Sequence, residues 1–131
     1  MKTSVLLGHL LAAGAVVETA AGLGLLVAPS TLAEVLLRDP LVGAGPVIAR
    51  LGAGGLLALG IACWFARRTP STAAGLGVAR GFLAYNLVAS AVLFAEYPPL
   101  PGGLAALSVA VLHGVAAIAL VAAMLAPARI R

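Results

Sequence analysis

The sequence predicts an all-α fold, a bundle of four transmembrane helices with a short interfacial helix between the first two spans. Three observations carry that expectation. The 131 residues are 63% hydrophobic and 9% charged, against about 25% charged in soluble domains. The apolar residues gather into four runs, about 5–28, 47–66, 73–95 and 104–126, each long enough to cross a hydrocarbon core of about 30 Å as a helix. Segments rich in Pro, Gly and charge separate the runs, which is turn chemistry. At this length residues 1–131 are expected to form a single integral membrane domain. A water-soluble fold would need polar residues on its outer helix faces, and these runs lack them.

The first run, VLLGHLLAAGAVVETAAGLGLLVA, holds one acid, Glu18. A carboxylate deep in a bilayer costs at least about 2.5 kcal/mol on insertion scales, so it should meet protein or water rather than lipid. Gly14 and Gly22 lie one turn to either side, and small residues admit a neighbouring helix. The Glu18 face is therefore expected to point into the bundle. A cleaved secretory signal is not expected, because the run is long and is interrupted by His9 and Glu18.

Pro29-Ser30 closes the first run. Residues 31–39, TLAEVLLRD, set Leu32, Val35, Leu36 and Leu37 against Glu34, Arg38 and Asp39. Thr31 with Glu34 three residues on fits a capping box. The segment reads either as a short helix on the membrane surface or as a plain connecting loop. Residues 40–46, PLVGAGP, are turn material. The second run is bracketed by Arg50 and by Trp64, Arg67 and Arg68, the placement of interfacial anchors. Thr69-Pro70-Ser71 leads into the third run, which carries Arg80, Asn86 and one GxxxG from Gly77 to Gly81, a pattern of close helix packing. The stiff loop EYPPLPGG precedes the fourth run, which holds His113, and residues 127–131 form a short basic tail.

Charge placement predicts the orientation. Lys2, Arg67, Arg68, Arg129, Arg131 and, nearby, Arg80 fall on one side of a four-span topology, and only Arg38 and Arg50 on the other. Positive residues favour the cytoplasmic side, so the chain is expected to be multi-pass in the cell inner (plasma) membrane with both termini cytoplasmic. The formal net charge of +4 is thus a topology signal. A nucleic-acid partner is not expected, since the basic residues do not cluster on one face. The abundance of Ala, Gly, Leu and Arg suggests a bacterial genome of high GC content.

Four polar residues stand out by depth. With a rise of about 1.5 Å per residue, Glu18, Asn86 and His113 each lie about 14 Å below the outer ends of their spans, and Arg50 about 5 Å below its own. Arg50 has a long side chain that can reach inward. Gly14 and Gly22 flank Glu18, Ala53 and Gly54 follow Arg50, Ser90 follows Asn86, and Ala110 and Ala117 flank His113. Residues three or four apart share a helix face, so the four could converge, with Glu18 as proton carrier or ligand anchor, His113 as acid/base partner, Asn86 as hydrogen-bond donor and Arg50 as counter-charge. Ser90 and Tyr85 are secondary candidates, although Tyr85, like Trp64, Phe94 and Tyr97, reads first as an interfacial or packing aromatic. The plainer reading is a structural network that fixes helix register. His9, Arg80 and Cys63 form a looser group toward the cytoplasm. No metal is expected, since there is one Cys and the two His lie at different depths. One cysteine also excludes an intrachain disulfide.

The stretches ARLGAGGLLALGIACWFAR, residues 49–67, and VETAAGLGLLVAP, residues 17–29, resemble small four-helix bacterial membrane proteins of the DoxX-like and related groups. The resemblance covers the four spans and the placing of Glu18 and Arg50. It implies a four-helix membrane fold and, for some members, a place as a subunit of quinone-linked oxidoreductases. A Glu in the first of four helices is also similar to small multidrug transporters, but their Trp- and Tyr-rich substrate face is missing and Arg50 would be foreign to a cation path.

Three functions compete. The chain is a binding or accessory subunit whose polar site holds a lipophilic small molecule or whose bundle supports a homo-oligomer or larger membrane complex. Alternatively it is a membrane enzyme acting on a quinone- or isoprenoid-type substrate with Glu18 and His113 within hydrogen-bond reach. Or it is a small proton-coupled transporter, which needs water access from both sides. The first reading requires the least of the sequence.

Overall fold

Inside a bilayer every backbone N–H and C=O must be satisfied by the chain itself, so an apolar run crossing it folds as an unbroken helix. The computed structural model, which describes residues 2–96 and 103–126, has this form. Its helices are α1 Lys2–Val27, α2 Pro29–Leu37, α3 Gly45–Ala66, α4 Ala73–Glu96 and α5 Gly103–Leu125. All but α2 are long and apolar enough to cross a membrane, and the chain is an all-α, multi-pass integral membrane protein. Large apolar side chains cover its outside: Leu51 is 75% exposed, Phe65 72% and Ile118 72%, a surface suited to lipid. Most of the proline-rich loop and the basic tail lie outside the described residues.

The segment after the first span is a helix, not a loop, and it begins earlier than the capping box suggests. Pro29 occupies its first turn, where a missing N–H is no loss and the fixed φ suits a helix. Ala28, pushed out of the helical region by the proline that follows, sits at φ −134° and ψ 61°. No side chain caps the helix; Thr31 already lies inside its first turn. Arg38, at φ 54°, ends it in the left-handed conformation, with its N–H on the Glu34 carbonyl. α2 rests against α1, α3 and α5 and buries Pro29 and Ala33.

The spanning helices form two extensive pairs, α1 with α3 and α4 with α5. The pairs meet along α1–α5 and α3–α4. α1 and α3 run antiparallel, with Gly22 opposite Ala53 and Leu57, and Gly60 opposite Ala15 and Thr19. The helices nearly touch at these points. A Cβ on Gly60 would lie 3.2 Å from the Ala15 carbonyl oxygen, and one on Gly22 3.0 Å from that of Ala53. Leu7, Leu11, Ala15, Cys63, Ala66, Ala79, Phe82, Leu120 and Ala123 form the apolar core, which fills the half of the bundle where α1 begins and α3 ends.

The GxxxG of α4 takes no part in this packing. Gly77 and Gly81 are both exposed, and a Cβ on either would meet open space. The inward face of α4 is the one bearing Ala79, Phe82 and Asn86, and the two glycines point away from it.

Substitution by alanine should separate these two kinds of glycine. Gly60→Ala pushes against the α1 backbone and should cost about 1–3 kcal/mol, as overpacking does. Gly52→Ala, which meets nothing within 4 Å, should cost nothing. Thermal unfolding in one detergent measures both, and equal midpoints would contradict the close α1–α3 approach.

Candidate functional site

The site grows from the inward stripes of the helices. On α1 the buried stripe runs through Leu7, Leu11, Gly14, Ala15, Glu18 and Gly22, and on α5 through Ala106, Ala110, His113, Ala117, Leu120 and Ala123. The spacing of three and four is that of one helix face. Glu18, Asn86 and His113 are 2%, 1% and 9% exposed. All three project into the bundle because they occupy these stripes, and most of the stripe residues are small.

Two hydrogen bonds fix the α4–α5 half. His113 Nδ1 lies 2.9 Å from Asn86 Oδ1, and Asn86 Nδ2 donates to the Phe82 carbonyl at 2.8 Å. Asn86 thus spends its oxygen on the neighbouring helix and its amide on its own. The His113 pairing requires the Nδ1–H tautomer, because the amide oxygen only accepts. One turn along, Ser90 Oγ donates to the Ala110 carbonyl at 3.0 Å, a second stitch between the same helices.

Tyr85 joins the two halves. Its ring stands edge-to-face against His113, with centroids 5.4 Å apart and planes at 88°, a favourable aromatic geometry. Its hydroxyl lies close enough to the Glu18 carboxyl to interact with it. The tip of the Phe82 ring, one turn before Asn86, takes the space at Gly14 where a Cβ would go. The polar groups therefore form one chain across the bundle, from Glu18 through Tyr85 and His113 to Asn86. The sequence places Tyr85 among the packing aromatics. Only its position next to Asn86 on an inward-turning part of α4 hints at this bridging role.

Arg50 does not join the cluster. It is exposed, and its Nε donates to the Leu26 carbonyl at 3.1 Å. Leu26 lies eight residues beyond Glu18, about 12 Å along α1. The counter-charge arrangement expected for Glu18 and Arg50 is thus absent, for a simple reason. The last carbonyls of α1 have no intrahelical donor, and a guanidinium at that end satisfies one without leaving the interface. Cys63 is buried in the apolar core rather than grouped with His9 and Arg80, which are both exposed. Among the described residues no group of three His, Cys, Asp or Glu side chains can hold a metal ion.

Two surface clefts among the described residues lie elsewhere. Both run along α1 and α3, and neither is lined by Glu18, Asn86 or His113. Fold and site together define a small multi-pass membrane protein with a buried polar cluster. No protein family, curated protein or solved structure matches the chain.

Double-mutant cycles test this geometry. Asn86→Ala and His113→Ala share a hydrogen bond and should couple by about 0.5 kcal/mol or more. Glu18→Gln and Arg50→Gln share no partner and should add to within about 0.5 kcal/mol. Strong coupling in the second cycle would bring Arg50 back to Glu18.

Proposed function

We propose that this chain is a binding or accessory protein of the membrane, in which the interior cluster fixes helix register and the lipid-facing flank carries recognition. The observation that carries this reading is the closure of the cluster on itself. Asn86 bonds to His113 and Phe82, Glu18 has Tyr85 beside it, and the clefts along α1 and α3 are lined by none of Glu18, Asn86 and His113. A membrane enzyme would instead need substrate access to the Glu18–His113 pair. Interhelical polar contacts in membranes average only about 0.6 kcal/mol each, yet they specify which apolar faces meet. The accessory role accords with what the DoxX-like resemblance implies.

This reading predicts that Glu18→Gln and His113→Ala lower the thermal midpoint of the purified protein. The lipophilic molecules or partner chains that native mass spectrometry finds bound should stay the same. A second reading, proton-coupled transport, draws on the continuous run of Glu18, Tyr85, His113 and Asn86. It would replace the first if Glu18→Gln abolished proton flux in proteoliposomes at an unchanged midpoint.

The same proposal includes the orientation. Lys2 opens α1, Arg67 and Arg68 follow α3, and Arg80 lies in the first half of α4, so all four belong to one end of the bundle. By the positive-inside rule that end is cytoplasmic in the plasma membrane. A reporter fused after Arg131 should be active only if it is of the cytoplasmic type, and activity of a periplasmic reporter there would invert the assignment.

A further inference from the structure

The two surface clefts on the α1–α3 flank share a wall. One, of about 530 Å³, lies at the end where α1 begins and α3 finishes, and is lined by Ser4, His9, Trp64, Arg67 and Arg68 among others. The other, of about 410 Å³, continues along the same two helices past Ala15, Val16, Ala20, Leu23, Ile61 and Phe65. Trp64 lines both. The first cleft contains two guanidinium groups and no acid. The second is apolar apart from Thr19. A basic compartment and an apolar trough therefore lie end to end along α1 and α3, with Trp64 between them.

Among the described residues the basic compartment has no acidic side chain. The chain has four acids, Glu18, Glu34, Asp39 and Glu96. Glu34 and Asp39 lie in or just after α2, and Glu96 closes α4, all at the far end of the bundle. Glu18 is ten residues from Gly8, which faces Arg67, about 15 Å along α1. Arg67 is held in place nonetheless. Its guanidinium carbon stacks 3.6 Å from the centroid of the Trp64 ring, and its Nε is buried with no hydrogen-bond partner among the described residues. A buried, unsatisfied donor on a charged group is costly, and an acceptor entering the cleft would relieve it.

The trough has the length of one leaflet. From Ala12 in the first cleft to Leu23 in the second is eleven residues of α1, about 16 Å, or half of a hydrocarbon core of about 30 Å. A headgroup anion at the guanidinium end with an apolar tail along the trough is an anionic phospholipid lying parallel to its neighbours in the bilayer. Basic pockets between helices at the membrane interface take such headgroups, and a guanidinium can grip a phosphate through two parallel hydrogen bonds. Trp64 sits where indole rings favour the boundary between head and tail.

We propose that the joined clefts bind one anionic phospholipid from the leaflet at the Arg67 end, its phosphate on Arg67 and Arg68 and one acyl chain in the α1–α3 trough. This rests on the binding reading above and assigns it a ligand class.

The test is native mass spectrometry of the full chain released from nanodiscs of phosphatidylcholine and phosphatidylglycerol in equal amounts. One phosphatidylglycerol should be retained over phosphatidylcholine by about tenfold or more, as expected for two basic side chains near the surface. Arg67→Gln with Arg68→Gln should reduce the preference to near unity. Ala20 and Val16 are exposed on the trough wall, so Ala20→Trp and, independently, Val16→Trp should fill it and cut retention several-fold, with helical content unchanged. Inorganic phosphate alone should not raise the thermal midpoint in detergent, whereas phosphatidylglycerol should. Stabilisation by phosphate equal to that by the lipid, or retention unaffected by both tryptophan variants, would overturn the lipid assignment in favour of a simple anion site. Retention of a neutral lipophile or a partner chain without headgroup preference overturns this assignment and leaves the binding reading standing. Retention of nothing overturns both.

Discussion

Apolar side chains gain little by leaving lipid for protein, so helices in a bilayer associate where their backbones can come close. In this chain that condition is met where Gly60 faces Ala15 and Thr19 and where Gly22 faces Ala53. With the two backbones in contact there, α1 has little freedom to slide or rotate on α3. The rest of the arrangement follows. Glu18, between Gly14 and Gly22 on α1, is turned inward, Gly8 is brought beside the Arg67 carbonyl, and the α1–α3 flank keeps two clefts that meet at Trp64.

The second helix pair is held differently. α4 and α5 are tied by polar groups, Asn86 to His113 and Ser90 to the Ala110 carbonyl. Aromatic rings then fasten this pair to the first. Phe82 covers Gly14, and Tyr85 reaches Glu18 while its ring abuts His113. A large ring against a glycine and a hydroxyl against a carboxyl are both specific to one register. The cluster therefore gives the interior a discrimination that Ala, Leu and Val alone do not supply. The apolar core lies in one half of the bundle and the polar chain adjoins it.

Charge is distributed by the same economy. Arg50 ends on a carbonyl of the last turn of α1, where an interfacial cation is well placed. Arg67 stacks on Trp64 at an end of the bundle where the described residues include no acidic side chain. Among the described residues the basic end thus has no acidic side chain, while the one acid within the spans has a tyrosine hydroxyl beside it rather than a cation.

The four spans, their order and the inward turn of Glu18 could be read from the sequence, because each depends on local properties: run length, the cost of a charge in hydrocarbon, and glycines one turn away. The break at Pro29 was equally local, although the helix that starts there needed the backbone to show it. What the tertiary structure decided is everything that depends on which face meets which. Lipid-facing and protein-facing positions are both apolar here, so periodicity, which marks the buried side of a soluble helix, carries little signal in the spans. For that reason Gly77 and Gly81 read as a packing face and prove to face outward, and Tyr85 reads as an interfacial ring and proves to bridge Glu18 and His113. Arg50 had two partners within reach of its long side chain, and only the packed end of α1 settled the choice. The shared wall of the two clefts at Trp64 arises from residues about fifty positions apart, brought together by an antiparallel contact that no single stretch of the chain encodes.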